Sequence, residues 1–285
     1  MSLFDLFRKK KPTPKPVTIC FGLPVDDGAR PQFWQSIMAA GDAPAEFYGE
    51  GISFIQYRND GDSLITRARN DIAHAFLTKT KADYLLFIDS DLEFTPDHLK
   101  SLLDHRREDA VICGQYCIKS PDLRFVCNPL PGEKKNAAGL LKVRESGTGC
   151  MLIPRAVLEK FKEAFPALEF TCEASKEKKF SFFDVGVVKD TPTRSRYYSE
   201  DYLFCRRVRQ IGFPILVDTN CIWLHHGWAA YPLSDDALIS AIASRAPTEE
   251  YLQSYLRDID KAARARWTTL SLPDSHKELE QSKVS

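Results

Sequence analysis

Tyr84-Leu85-Leu86-Phe87-Ile88-Asp89-Ser90-Asp91-Leu92-Glu93 is the stretch on which the fold turns: five apolar residues run without alternation into two carboxylates one residue apart. An unbroken apolar run of this length predicts a strand buried on both faces, which implies a largely parallel sheet covered by helices. Sheets of that kind bind ligands beyond the carboxyl ends of their strands. In extended chain, side chains at i and i+2 point the same way, so Asp89 and Asp91 are expected to converge while Ser90 faces away. Two converging carboxylates suit Mg²⁺ or Mn²⁺, hard cations that take oxygen ligands and keep positions for water and substrate phosphates. The plainer reading is that both aspartates end a strand and solvate the turn into a helix, capped by Thr95 with Pro96 at its first position.

Upstream, residues 17–22 read as a first strand, followed by a loop rich in Asp and Gly and a helix over about 31–40. Residues 51–58 form a second strand and 64–80 a helix whose Leu64, Ala68, Ile72, Ala75 and Phe76 mark an inward face. Downstream come a helix over 96–107, an apolar strand over 110–116, a long polar loop over 121–139 and a strand over 140–146. Gly147-Thr148-Gly149 precedes another apolar run and a helix over 155–164, and its paired glycines allow close backbone approach. Residues 169–196 are polar and irregular, read as short strands and a flexible loop. This alternation of strand and helix is the rhythm of an α/β fold.

A helix follows over about 199–212. Ser199 is a natural N-cap, Glu200 and Asp201 suit the positive end of the helix macrodipole, and Gly212 supplies a stop. Capping alone accounts for both acids. Residues 214–218 and 221–224 read as two short strands that deliver His225-His226-Gly227.

Taken together, Asp89-Ser90-Asp91, Gly147-Thr148-Gly149, the Ser199-Glu200-Asp201 helix and His225-His226-Gly227 resemble, in order, the parts of nucleotide-sugar glycosyltransferases of family 2. The resemblance runs from Val17 to about Trp228. It implies the GT-A fold: a Rossmann-like, mostly parallel central sheet flanked by helices. It also implies that Asp89, Asp91 and His225 hold Mn²⁺ or Mg²⁺, with His226 the competing imidazole. Arg67, Arg69, Asn70, Asp89, Ser90, Asp91 and Gly149 would contact a nucleoside-diphosphate sugar, UDP-linked by the same resemblance. Asp201 would be the general base of an inverting transfer to an acceptor hydroxyl, with Glu200 orienting the helix end or a hydroxyl. The chain also resembles glycosyltransferases carried by bacteriophages, so the acceptor is expected to be a glycan or a hydroxymethylated base in DNA. A non-catalytic nucleotide-sugar or glycan-binding module of the same fold is the alternative.

Composition sets the remaining bounds. The 285 residues, 44% hydrophobic and 27% charged, describe a soluble globular chain able to bury a large core. Lys+Arg and Asp+Glu both total 39, so net charge offers no argument for a polyanion partner. Eight cysteines, several within apolar strands, read as reduced thiols in a cytoplasmic protein. Cys113-x₃-Cys117 and Cys221-x₃-His225 lack the close Cys-x₂-Cys knuckle of a structural zinc site. The expected division is a basic tail over 1–16, with peripheral membrane contact as its sharper reading, the α/β domain over 17–230, and a C-terminal extension over 231–285. That extension carries a helical stripe of Tyr251, Leu252, Tyr255, Leu256, Ile259, Ala263 and Trp267. Nothing in the sequence fixes an oligomeric state.

Overall fold

The computed structural model of the chain describes residues 15–26, 28–119, 124–191, 193–227 and 230–231. The expected N-terminal tail, apart from residues 15 and 16, and nearly all of the C-terminal extension lie outside them. In chain order the strands are β1 (Val17–Val25), β2 (Ile52–Asp60), β3 (Tyr84–Ile88), β4 (Leu92–Glu93), β5 (Val111–Gln115), β6 (Cys127–Pro129), β7 (Leu140–Ser146) and β8 (Cys150–Pro154). They continue as β9 (Glu169–Thr171), β10 (Lys178–Phe180), β11 (Gly186–Thr191), β12 (Arg194–Tyr198), β13 (Ile215–Ile222), β14 (Leu224–His226) and β15 (Ala230–Tyr231). The helices are α1 (Pro31–Asp42), α2 (Ala45–Tyr48), α3 (Ile65–Lys79), α4 (Pro96–Asp104), α5 (Arg155–Ala164) and α6 (Glu200–Gln210).

Eight strands form the central sheet in the order β2-β1-β3-β8-β5-β13-β7-β6. The pairings make six of them point one way, with β7 and β8 reversed, so the sheet is mostly parallel as expected. The unbroken apolar run of β3 has the predicted cause, since all five of its residues are buried. Tyr84, Leu86 and Ile88 join a cluster with Phe33 of α1, Tyr48 of α2 and Leu99, Leu102 and Leu103 of α4. On the other face Phe87 meets Phe183 edge-on at 5.2 Å, and Phe183 stacks on Phe204 of α6 at 4.5 Å. Burying each such side chain stabilises the fold by about 1.5–3 kcal/mol.

Local signals fix the element ends. Thr95 accepts the His98 amide while the His98 ring accepts the Thr95 amide, a capping box with histidine in the usual acid's place. Gly212 stops α6 at φ +95°, backbone that other residues adopt only with strain. The expected pair of short strands near 214–224 is instead one strand, β13, irregular between Val217 and Ile222. Its irregular residues are satisfied by side chains: the buried Asp218 accepts Ser101 Oγ–H at 2.6 Å and the Asn220 amide at 2.9 Å. The loop expected over 121–139 contains β6, and the irregular region expected over 169–196 contains the β9–β10 and β11–β12 hairpins. Arg196 of β12 donates to both oxygens of Glu145 at 2.8 and 3.0 Å, and Glu145 is 1% exposed. That ion pair moors the second hairpin to β7.

A small sheet, β15-β14-β4, brings the late chain back to the aspartates. His225 pairs with Leu92, and the His226 amide donates to the Asp91 carbonyl at 2.8 Å.

Candidate active site

A cleft of about 340 Å³ opens at the carboxyl ends of β1 and β3. Its walls include Val25, Asp62, Arg69, Asp89, Ser90, Asp91, Tyr116, Thr148, Glu200 and Asp201. The sheet-end position expected for a ligand is therefore where the acidic side chains collect.

Asp89 and Asp91 both reach this cleft, though not by the route the sequence argument assumed. β3 ends at Ile88, and the Leu92 amide donates to the Asp89 carbonyl at 3.1 Å, closing a tight turn. The i, i+2 rule for extended chain does not apply inside that turn, and the two carboxylates meet different partners. Asp89 accepts Arg69 Nη2–H at 2.8 and 3.0 Å. Asp91 Oδ2 is bonded to the Lys119 ammonium and lies 3.4 Å from His225 Nε2. Burial alone would raise the Asp91 pKa, but His225 and Lys119 outweigh it and hold the group at about 2. Its Oδ1 is buried with no partner.

The two imidazoles separate cleanly. His225 Nδ1 lies 2.7 Å from the Cys117 carbonyl oxygen, which can only accept, so that nitrogen donates to it and Nε2 faces Asp91. His226 points to the opposite side, with Nε2 2.6 Å from Glu93.

The first turn of α6 lines the same cleft. Ser199 occupies the N-cap position, but its hydroxyl donates to Asp201 and accepts from no helix amide, so the expected side-chain cap is absent. Asp201 also accepts the Tyr202 amide at 2.7 Å. Burial, reinforced by the negative charge of Glu200, pushes the Asp201 carboxyl up from 3.8 to about 6. Glu200 is bonded to Arg69 Nη1.

Gly149 allows the two sides to close. Its amide donates to Tyr116 Oη at 2.9 Å and its carbonyl accepts the Asp89 amide at 3.0 Å. A Cβ at this position would lie 2.7 Å from Tyr116 Oη and 3.0 Å from Asp89 Oδ2. Gly147 is equally constrained, its Cβ position being 2.3 Å from the same hydroxyl.

Residues 24–161 match the family Glycosyl transferase family 2. Over that stretch, just under half of the chain, the protein is similar to family-2 glycosyltransferases. No curated protein matches it significantly. Among solved structures, the chain is similar to A197 from STIV, at 18% identity and TM-score 0.45 over 74% of this chain and 86% of that one. It is similar also to GalNAc-T7 with UDP, GalNAc and Mn²⁺, at 13% identity and TM-score 0.46. That match covers 78% of this chain but 45% of GalNAc-T7.

The residues singled out from sequence sort by position. Asp89, Ser90, Asp91, Arg69, Glu200 and Asp201 line the cleft, and His225 reaches it through Asp91. Arg67 sits outside the lining, paired with Asp62 through Nε at 2.8 Å and Nη2 at 2.7 Å. Asn70 is buried and holds the backbone of Phe183, donating to its carbonyl at 2.8 Å and accepting its amide at 2.9 Å. Gly149 acts from behind the wall. Sequence reasoning passed over Tyr116 and Lys119. A tyrosine at the end of an apolar strand carries no signal of its own, and Lys119 stands in an ordinary polar loop. Asp62 had a signal, the Asp-Ser-Leu lead into α3. No three His, Cys, Asp or Glu side chains among the described residues are grouped as a ready metal cage. All eight cysteines are unbridged. Cys221 contacts the Trp223 indole nitrogen and the His98 carbonyl. Among the described residues no helix is long and apolar enough to cross a membrane.

Proposed function

We propose that this protein is a glycosyltransferase that moves a sugar from a UDP-sugar to a hydroxyl with inversion, assisted by a divalent cation. The observation that carries the reading is Asp201, a buried carboxylate with its pKa raised to about 6, lining the same cleft as Asp89 and Asp91. A carboxylate tuned toward neutrality is ionised at physiological pH yet basic enough to take an acceptor proton as the bond forms. Capping alone requires neither burial nor a raised pKa.

On the donor side, Asp91 and His225 fit a cation: Oδ1 of Asp91 is buried without a partner, and His225 keeps its Nε2 turned to Asp91. Asp91 and His225, joined by Asp89, would hold Mn²⁺ or Mg²⁺, which supplies positive charge beside the departing diphosphate. Lys119 adds a second positive charge at the same carboxylate. Ser90, at the turn between the two aspartates, faces the cleft where the donor would lie. Asp201 receives the acceptor proton on Oδ2, the oxygen that Ser199 and Tyr202 leave uncommitted. Tyr116 and Gly149 keep the wall behind the donor closed.

For the acceptor we favour a glycan hydroxyl over hydroxymethylated DNA, because carboxylates balance several of the basic side chains that would meet phosphate. Lys178 pairs with Glu169, Lys179 with Asp71 and Arg196 with Glu145. The test is calorimetry with UDP and Mn²⁺ alongside turnover of a UDP-sugar panel. Asp91→Ala should abolish metal-dependent UDP binding and turnover, and His225→Ala should raise the metal requirement where His226→Ala does not. Unchanged affinity in Asp91→Ala would sink the metal role. Binding to duplex DNA that weakens steeply with salt would return the DNA acceptor to first place.

A further inference from the structure

Arg69 is the one buried arginine among the described residues, and its surroundings do not fit a donor contact. Projecting from α3, it places Nη2 on Asp89 at the end of β3 and Nη1 on Glu200 in the first turn of α6. These two carboxylates lie 111 residues apart in sequence, and both line the cleft. Its Nε is buried without a partner. Burial alone would lower the guanidinium pKa, but Asp89 and Glu200 more than offset this, so the charge persists at any ordinary pH. A planar fork can serve two carboxylates at fixed angles, which a single ammonium cannot do.

We infer that Arg69 is a positioning residue, a strut that sets the spacing between the donor-side Asp89 and the α6 turn carrying Asp201. The inference rests on the reading above, in which Asp89 faces the donor and Asp201 the acceptor. Glu200 then has a defined part: it ties the turn to the strut and leaves its neighbour Asp201 aimed at the cleft. Removing the strut separates two halves of one site while leaving each half's own ligands in place. In-line attack tolerates little misplacement, and a shift of about 1 Å costs on the order of 10²-fold in rate. The strut also sets the charge around Asp201, which faces Glu200, Arg69 and Tyr116 and accepts hydrogen bonds from Ser199 and Tyr202.

Three variants test this. Arg69→Lys keeps the charge but loses the fork. Its kcat should fall by about 10–100-fold, while UDP affinity with Mn²⁺ and the KM for UDP-sugar stay within about threefold of wild type. The acid limb of its rate–pH profile should move upward. Arg69→Met leaves two carboxylates without their cation and should lower the melting temperature by about 6–20 °C. Arg69→Met/Asp89→Asn/Glu200→Gln removes the unpaired charges and should recover most of that loss. Wild-type kcat in Arg69→Lys overturns the strut. UDP affinity reduced tenfold or more with kcat preserved also overturns it, making Arg69 a donor ligand. A wild-type protein that transfers no sugar defeats the catalytic reading instead, and the melting series then decides the strut alone: Arg69→Met melting like wild type refutes it.

Discussion

Asp201→Asn separates the catalytic and capping readings in both rate and stability. In the folded protein the Asp201 carboxyl sits at about 6 against an ordinary 3.8. Because the folded state holds its proton more tightly than the unfolded chain, ionising it opposes folding. That cost is absent below about pH 4, grows from there, and is complete above about pH 6. At about 1.4 kcal/mol per tenfold change in proton affinity, it comes to about 3 kcal/mol at neutral pH. Asparagine removes the charge and keeps an oxygen for Ser199 and Tyr202, but its amino group must find an acceptor, so part of the gain is lost. Asp201→Asn should therefore melt about 2–10 °C above wild type at pH 8, with the difference closing toward pH 4. Turnover at pH 7 should fall by about 10²–10⁴-fold with UDP affinity unchanged. Scanning calorimetry at pH 4, 6 and 8 and initial rates with saturating donor are sufficient. A variant that is less stable at pH 8, as loss of a favourable macrodipole contact would produce, or that turns over near normally, refutes the argument.

Two further outcomes follow from the geometry. Asn70→Ala strips both hydrogen bonds from the buried Phe183 backbone and should cost about 2–4 kcal/mol in urea unfolding while leaving UDP affinity intact; a selective loss of UDP affinity would instead make Asn70 a donor contact. Gly149→Ala forces a Cβ against Tyr116 Oη and Asp89 Oδ2 and should reduce turnover at least tenfold, whereas Gly186→Ala, whose nearest neighbour is Leu203 at 3.7 Å, should not.

The parts of this protein that sequence made legible are those with local causes. The double-sided burial of β3 was written in five consecutive apolar residues, and the cap of α4 in Thr95-Pro96. The stop of α6 was written in Gly212. What escaped depends on partners distant in sequence. Asp89 and Asp91 were brought to one cleft by an argument about extended chain that the turn at Asp89–Leu92 invalidates, since nothing within five residues reveals where a strand ends. Arg67, Arg69 and Asn70 share one turn of α3 yet meet Asp62, the Asp89/Glu200 pair and Phe183 respectively. Side-chain type specified the chemistry available at each position. Tertiary pairing decided which of the three faces the cleft.

The pairing of β14 with β4 bears on how the site comes into being. Asp91 and His225 lie 134 residues apart, and that pairing, Leu224 with Glu93 and His225 with Leu92, brings them together. A nascent chain that has emerged through β13 already carries both aspartates, yet Asp91 lacks its imidazole until the next strand docks. Closing so long a loop is entropically costly and slow, so this corner should be among the last to assemble. A slip of one residue in the same pairing would exchange His225 for His226 and turn the alternating side chains to the opposite face. Competence for chemistry thus reports completed folding, and a misregistered strand would yield a protein with much the same core and a silent active site.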